Sequence, residues 1–460
     1  MVSVMSSRMV IPSEPTPTGI FPLSDFDQSK PSIHIPLLFV YRPLVNDQPF
    51  LPFSIHILTK SLSQSLVHFY PLAGHLRENV GGRFQLHCSG RGAQLLEAVS
   101  LAKLDEFGDF KPSQDVEQLV PEIDYNLPVE EIPLLAVQLT KFRCGGLTLG
   151  VSVSRAVVDG ACIVHFVNSW ARITRGEGLD LSSTEMLHRD SSILDSRAES
   201  CAAPRFDHPE FSPPPLWLGS LVDAEDEAAA VILKLTKNQV QQLKEKASNF
   251  DAPRRPYTSF EVISGVLWRC ACKARYGGNG DQPTRLSTRV NCRNRLRPPL
   301  HNSYFGNAAI PTVTKTSTFD DVMSKPVSYA VGEIRRALEK VTDDYARSAL
   351  DDIAGQKDAR LLRNTCPGKP KGNPNLDIVS WMNFPFQDAD FGWGKPVYMG
   401  PGNIHREGKA FLRWRWLHGS LMFASDGFMV ALCLQVSHMV AFKKLFYEET
   451  GDMFRTTSKL

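Results

Sequence analysis

The chain has 460 residues, 42% of them apolar and 22% charged, the composition of a globular protein. That is more than one hydrophobic core usually organises, so two domains are expected. With 51 basic and 49 acidic side chains the net charge is only +2, which leaves no concentrated basic face for nucleic acid. The best apolar run, 147–167, is broken by Arg155 and Asp159, so no membrane span is expected. The first 20 residues lack an apolar stretch long enough for a secretory signal. The nine cysteines are scattered. Cys270 and Cys272 have no second pair with which to complete a metal site, and the expectation is reduced thiols without metal.

In chain order, Leu147, Leu149, Val151 and Val153 alternate with Thr148, Gly150, Ser152 and Ser154. That period of two predicts a strand ending at Arg155. Ile163, Val167, Trp170 and Ile173 then follow with helical spacing until Gly176 stops the run. Residues 155–160 therefore fall on a strand-to-helix loop, where a rigid scaffold commonly presents chemistry. From about 177 to 225 the periodicity dissolves into Pro204, Pro209 and Pro213-Pro214-Pro215, an extended crossover linker. The division is 1–180, linker 181–225 and 226–460. Val231 to Leu235 reads as a strand. Thr236 with Gln239, and Thr258 with Glu261, form capping-box patterns that open two helices. Val430, Leu432, Leu434 and Val436 alternate as a further strand. Strands and helices mixed in both halves indicate an α/β protein of two similar domains. The final Ser458-Lys459-Leu460 reads as an address for the peroxisomal import receptor, predicting a peroxisomal location, with the cytoplasm as the alternative.

Two segments carry a family likeness. Arg155-Ala156-Val157-Val158-Asp159-Gly160 and Asp390-Phe391-Gly392-Trp393-Gly394 resemble the His-x-x-x-Asp-Gly and Asp-Phe-Gly-Trp-Gly signatures of the plant BAHD acyl-CoA-dependent acyltransferases. The likeness continues through His68–Gly74, Leu267–Cys270, Tyr304–Asn307 and Ser380-Trp381. Gly372–Leu376 and Leu434–Met439 are similar to the amide-forming branch, around the spermidine hydroxycinnamoyl transferases and the piperamide-forming synthases. The resemblance implies two chloramphenicol-acetyltransferase-like domains with mixed sheets, facing each other across a solvent channel. An aromatic acyl-CoA serves as co-substrate and an amine as acceptor, with no bound cofactor, in a monomer. It further implies that Ser380 and Trp381 support the oxyanion, that Asp390–Gly394 is structural, and that Asp159 pairs with Arg293 or Arg295. The family more often has aspartate where this chain has Asn291.

The departure is at Arg155, where the family has the histidine that takes the acceptor's proton. Arginine stays protonated, and a positioned base is worth roughly 10² to 10⁴ in rate. An alcohol needs that help, whereas a free amine attacks a thioester and sheds its proton afterwards. The expected activity is acyl-CoA:amine N-acyl transfer of a hydroxycinnamoyl- or piperoyl-like group. Arg155 itself has three readings: electrostatic aid to the oxyanion, a hold on CoA, or a salt bridge elsewhere. His165 and His438 read as core or capping residues, and His75 has no functional account. Competing readings are a non-catalytic accessory protein with a decayed motif, and a lyase on the same fold. Retention of Asp159-Gly160, Ser380-Trp381 and Asp390–Gly394 favours the acyltransferase.

Overall fold

The computed structural model describes residues 2–42, 54–178, 192–194, 204–218, 227–249, 255–364, 372–404, 406–416 and 425–451. Two six-stranded mixed sheets carry the architecture. The first is ordered Val2–Val10, Ala93–Ser100, Leu135–Phe142, Leu147–Ser154, His34–Tyr41 and Tyr398–Pro401. The second is ordered Ala309–Val313, Leu286–Asn291, Leu376–Ser380, Lys409–Trp416, Ser425–Gln435 and Ala228–Thr236.

Leu147–Ser154 is buried along its whole length, not on alternate residues alone. Leu147, Leu149, Val151 and Val153 enter the first core. The opposite face is closed by the 119–120 backbone, so close to Gly150 that a Cβ there would lie 2.4 Å from the Leu119 carbonyl oxygen. Helix Gly160–Thr174 then lays Ile163, Phe166, Val167 and Trp170 on the same core.

In the second half both capping boxes form. The Thr236 hydroxyl accepts from the Gln239 amide, and Thr258 from Glu261, opening helices Lys237–Ser248 and Ser259–Arg275. These helices pack with Val327–Glu339 and Val436–Thr450 on one face of the second sheet. The strand predicted through Val436 ends instead at Gln435. Its partner runs out at Ala228, and the helical spacing of Met439, Phe442 and Phe446 takes over.

Because helices cover only one face, alternate residues of the second sheet point to the other half. Leu376, Ile378, Ala410 and Leu412 enter the second core, while Asp377, Val379, Lys409 and Phe411 face the opposite way. The halves also exchange chain. Trp381, Phe386, Phe391, Trp393 and Met399 sit in the first core, and Tyr398–Pro401 adds antiparallel to His34–Tyr41. The C-terminal half thus lends a segment to the N-terminal one.

Within the expected linker, Pro209–Phe211 makes one 3₁₀ turn and Leu194 packs with Phe211 in a separate cluster. Cys270 and Cys272 are buried free thiols in helix Ser259–Arg275. Among the described residues no helix is long and apolar enough to cross a membrane. Ser458-Lys459-Leu460 lies outside the described residues.

Candidate active site

A cavity of about 1380 Å³ lies between the halves. It exceeds the roughly 300–1,000 Å³ of an ordinary small-molecule pocket and has room for two substrates. Arg155 borders it directly after strand Leu147–Ser154. The Arg155 amide donates to the Ile33 carbonyl at 2.8 Å. Its carbonyl accepts from Asn307 Nδ2 at 3.1 Å. Asn307 is anchored in turn on the Asp27 carboxylate at 2.7 and 2.8 Å. The loop is thereby held from both halves.

Asp159 caps helix Gly160–Thr174, accepting from the Ala161 and Cys162 amides at 3.1 and 3.2 Å. Its carboxylate also takes both arms of the Arg293 guanidinium, at 2.7 and 3.1 Å, and the Ala308 amide at 3.0 Å. Both partners are buried. Burial pushes the Asp159 carboxyl up, but the Arg293 charge and these hydrogen bonds outweigh it and hold it below the usual carboxylate range. Arg293 Nη2 further donates to the carbonyls of Tyr304 and Gly306 at 3.2 and 3.3 Å, so the Tyr304–Asn307 segment is folded around this ion pair. Asn291 braces the guanidinium, accepting from the Arg293 amide and Nη1 at 3.1 and 3.3 Å. Arg295, the other candidate partner of Asp159, instead donates to the Leu338 and Val341 carbonyls at 2.7 and 2.8 Å. It closes its own turn and does not reach the loop. Gly160 lies against Phe384: a Cβ there would meet the ring at 2.7 Å, so the ring would have to move.

Ser380 and Trp381 also border the cavity. The Trp381 amide donates to Leu412 O at 2.7 Å and its ring lies 4.5 Å, centroid to centroid, from Phe411. The Asp390–Gly394 loop packs away from the cavity lining. Asp390 Oδ1 accepts from the Gly392 and Gly394 amides at 2.8 and 3.0 Å. Both glycines have positive φ, 86° and 82°, a conformation that a β-carbon disfavours. Phe391 and Trp393 are buried against Tyr41, and Phe391 against Trp170. Tyr41 Oη donates to the Ala389 carbonyl at 2.7 Å. This loop fastens the lent segment to the first core.

Sequence reasoning missed four cavity residues. His34 lines the wall, with Nδ1 at 3.1 Å from Tyr125 Oη and Nε2 at 2.8 Å from the Pro133 carbonyl. Burial lowers its pKa to about 4, so it is neutral with both nitrogens engaged. On the second sheet, Lys409 Nζ contacts Asp377 Oδ2 at 2.7 Å, and Arg289 spans the same carboxylate at 3.2 and 3.3 Å. Burial works to raise the Asp377 pKa; Arg289, Lys409 and, across the cavity, Arg155 pull it far below the usual range. Burial lowers Lys409 to about 8 against the attraction of Asp377, with Arg289 and Arg155 adding to the fall. Arg155 therefore acts electrostatically on Asp377 and Lys409 from across the cavity. The signal in the sequence was the charge at Arg289, Asp377 and Lys409 within strand-forming segments.

The other histidines singled out from the sequence lie elsewhere. Among the described residues neither His165 nor His438 borders the cavity; His165 packs on Phe69, ring centroids 5.2 Å apart. His75 is a core residue bonded to Ser89 Oγ at 3.0 Å. Burial, then Arg91, lowers its pKa to about 4.

The Transferase family matches residues 1–449. The chain belongs to that family, the BAHD acyltransferases. It is a CoA-dependent acyltransferase. It is 42% identical to the hydroxycinnamoyl-CoA:piscidic acid hydroxycinnamoyltransferase of Actaea racemosa, covering 98% of this chain and 100% of that one. Identity to the shikimate O-hydroxycinnamoyltransferase of Nicotiana tabacum is 38%, over 97% and 99% of the two chains. Identity to a hydroxycinnamoyl-CoA:5-hydroxyanthranilate N-hydroxycinnamoyltransferase of Avena sativa is 35%, over 96% and 99%. BAHD relatives of this chain therefore include both O- and N-acyltransferases. Vinorine synthase shares the two-domain fold with a TM-score of 0.71 at 23% identity, over 96% of each chain. F. graminearum TRI101 complexed with coenzyme A and deoxynivalenol shares it with 0.74 at 17%, over 93% and 97%.

Asp159→Ala leaves the buried Arg293 charge without its counter-ion, which should cost about 3 to 5 kcal/mol, read as a lower denaturant midpoint. Because the folded carboxyl titrates below its unfolded value, its contribution is complete above the unfolded pKa. It is lost as pH falls through the folded one. Asp159→Asn should accordingly flatten the acid limb of the stability profile measured in denaturant between neutral pH and acid.

Proposed function

We propose that this BAHD enzyme transfers a hydroxycinnamoyl group from CoA to an amine, releasing free CoA and an amide. The donor follows from the relatives, which are hydroxycinnamoyltransferases at 35 to 42% identity. The acceptor class follows from one observation. Arg155 stands on the cavity wall at the position of the family's base, and among the described residues the titratable neighbours do not replace it. His34 has both nitrogens engaged. Lys409, titrating near 8, is protonated in its pair with Asp377 at neutral pH.

In this reading the amine lone pair attacks the thioester carbonyl carbon unaided. Negative charge gathers on the carbonyl oxygen, where donors from Ser380 and Trp381 and the field of the cavity cations lower its energy. The C–S bond breaks, CoA leaves as thiolate, and the former ammonium proton passes to water or to the thiolate. A hydroxyl gains little from such a site, because its proton must leave as it attacks.

Ester formation is the second reading, favoured by the higher identity to the piscidic acid and shikimate enzymes. Purified protein should be given p-coumaroyl-CoA with amines and alcohols matched in size, reading thiol release and product mass. Amines should be acylated faster, and turnover should climb with pH as the ammonium form gives up its proton. Faster turnover of alcohols, or a rate flat across neutral pH, would instead establish the ester reading. Arg155→His should restore a base and raise alcohol acylation by at least about 10-fold, the lower end of what a positioned base contributes being roughly 10².

A further inference from the structure

The Arg155 loop is held, through Asn307, by a buried carboxylate. Asp27 lies in the short helix Asp25–Gln28 with its side chain out of solvent. Oδ2 closes the helix's own capping box, accepting from the Ser24 amide at 3.0 Å and the Ser24 hydroxyl at 2.6 Å. Oδ1 is turned to the other half of the molecule. It accepts from the Asn307 amide at 2.8 Å and from Asn307 Nδ2 at 2.7 Å. The same Nδ2 also donates to the Arg155 carbonyl at 3.1 Å. All four bonds to Asp27 thus come from uncharged donors. Burial pushes its pKa up to about 6 against them, which leaves it ionised at neutral pH.

Capping does not require that charge. An amide oxygen accepts from Ser24 as well, and a buried carboxylate is costly to desolvate. What the charge adds is a direction. An ionised carboxylate only accepts, so it settles which end of the Asn307 side chain faces it. Asn307 Oδ1 turned that way would meet negative charge. With Nδ2 held there, the Arg155 carbonyl meets a donor; with the amide reversed, it would meet an oxygen and be pushed away. We propose that Asp27 is a positioning residue for acyl transfer: its charge orients Asn307, and Asn307 fixes the Arg155 peptide on the cavity wall. The inference rests on acyl transfer in the cavity that Arg155 borders, and it holds for either an amine or an alcohol.

Thiol release from p-coumaroyl-CoA is followed with phenethylamine, with 2-phenylethanol and with water alone as acceptor. Asp27→Asn keeps an oxygen for Ser24 but turns an amide nitrogen toward Asn307, which reverses that side chain. It should lower kcat by about 10-fold or more, the size of a hydrogen bond to a charged group, with KM for p-coumaroyl-CoA within about 2-fold. Asn307→Ala should give a similar loss. Adding Asp27→Asn to it should cost nothing further in kcat, because the one residue acts through the other. Exchanging the pair, Asp27→Asn with Asn307→Asp, separates position from fold. It restores an amide–carboxylate bond, and with it the denaturant midpoint, yet sets an acceptor against the Arg155 carbonyl, so kcat should stay low. Where the exchanged protein does not fold, the cap-preserving Asp27→Asn protein decides alone. Recovery of kcat on exchange, additive losses in the double variant, or Asp27→Asn kcat within about 2-fold of the parent overturns the inference. Each variant is compared with the parent on the same acceptor. A parent that favours 2-phenylethanol therefore ends the amide reading and leaves this one standing.

Discussion

One buried ion pair joins the halves of this molecule, and the reaction centre is assembled around it. Asp159 belongs to the N-terminal half and Arg293 to the C-terminal half. The carboxylate terminates a helix, and the guanidinium gathers the Tyr304 and Gly306 carbonyls. That places Asn307 where it can grip the Arg155 carbonyl. Such a pair adds little net stability over an apolar alternative, yet breaking it strands a charge. Its effect is therefore on geometry: the halves have one relative placement in which both charges are satisfied, and the cavity has its shape only in that placement.

Around that frame one side chain departs in kind from the family's signature, Arg155 standing where the signature has histidine. A neutral imidazole works by moving a proton, and a guanidinium cannot. The wall opposite Arg155 carries charge as well, at Arg289, Asp377 and Lys409. A preorganised field in a partly dry cavity acts on charge that develops in a transition state without any proton changing hands. On the proposed amide-forming reading, the site works electrostatically rather than by acid–base transfer.

What could be read from the sequence was what neighbours in sequence determine. Both capping boxes formed, because a cap is settled within four residues. The strand before Arg155 and the helix after Gly160 followed from period alone. The second strand's end at Gln435 did not, since it depends on where Ala228 starts the partner. Arg293 and Arg295 were equivalent in sequence, and only the turn at 292–296 sends one across the interface and the other back to Leu338 and Val341. Lys409 and Asp377 escaped notice for a related reason. A charged residue alternating with apolar ones reads as facing water, and nothing local reveals that this water is a channel roofed by the other half.

The strand Tyr398–Pro401 imposes an order on biosynthesis. His34–Tyr41, a run of Ile, Leu, Phe and Val with one edge paired to Leu147–Ser154, has its other edge closed by residues more than 350 positions later. While the ribosome is still translating the second half, the first sheet presents a long apolar edge of the kind that recruits strands from other chains. Nascent chains on neighbouring ribosomes are therefore the hazard until residues 398–401 have been made and paired. The folded enzyme has no such edge to offer there, because its own strand Tyr398–Pro401 has occupied it.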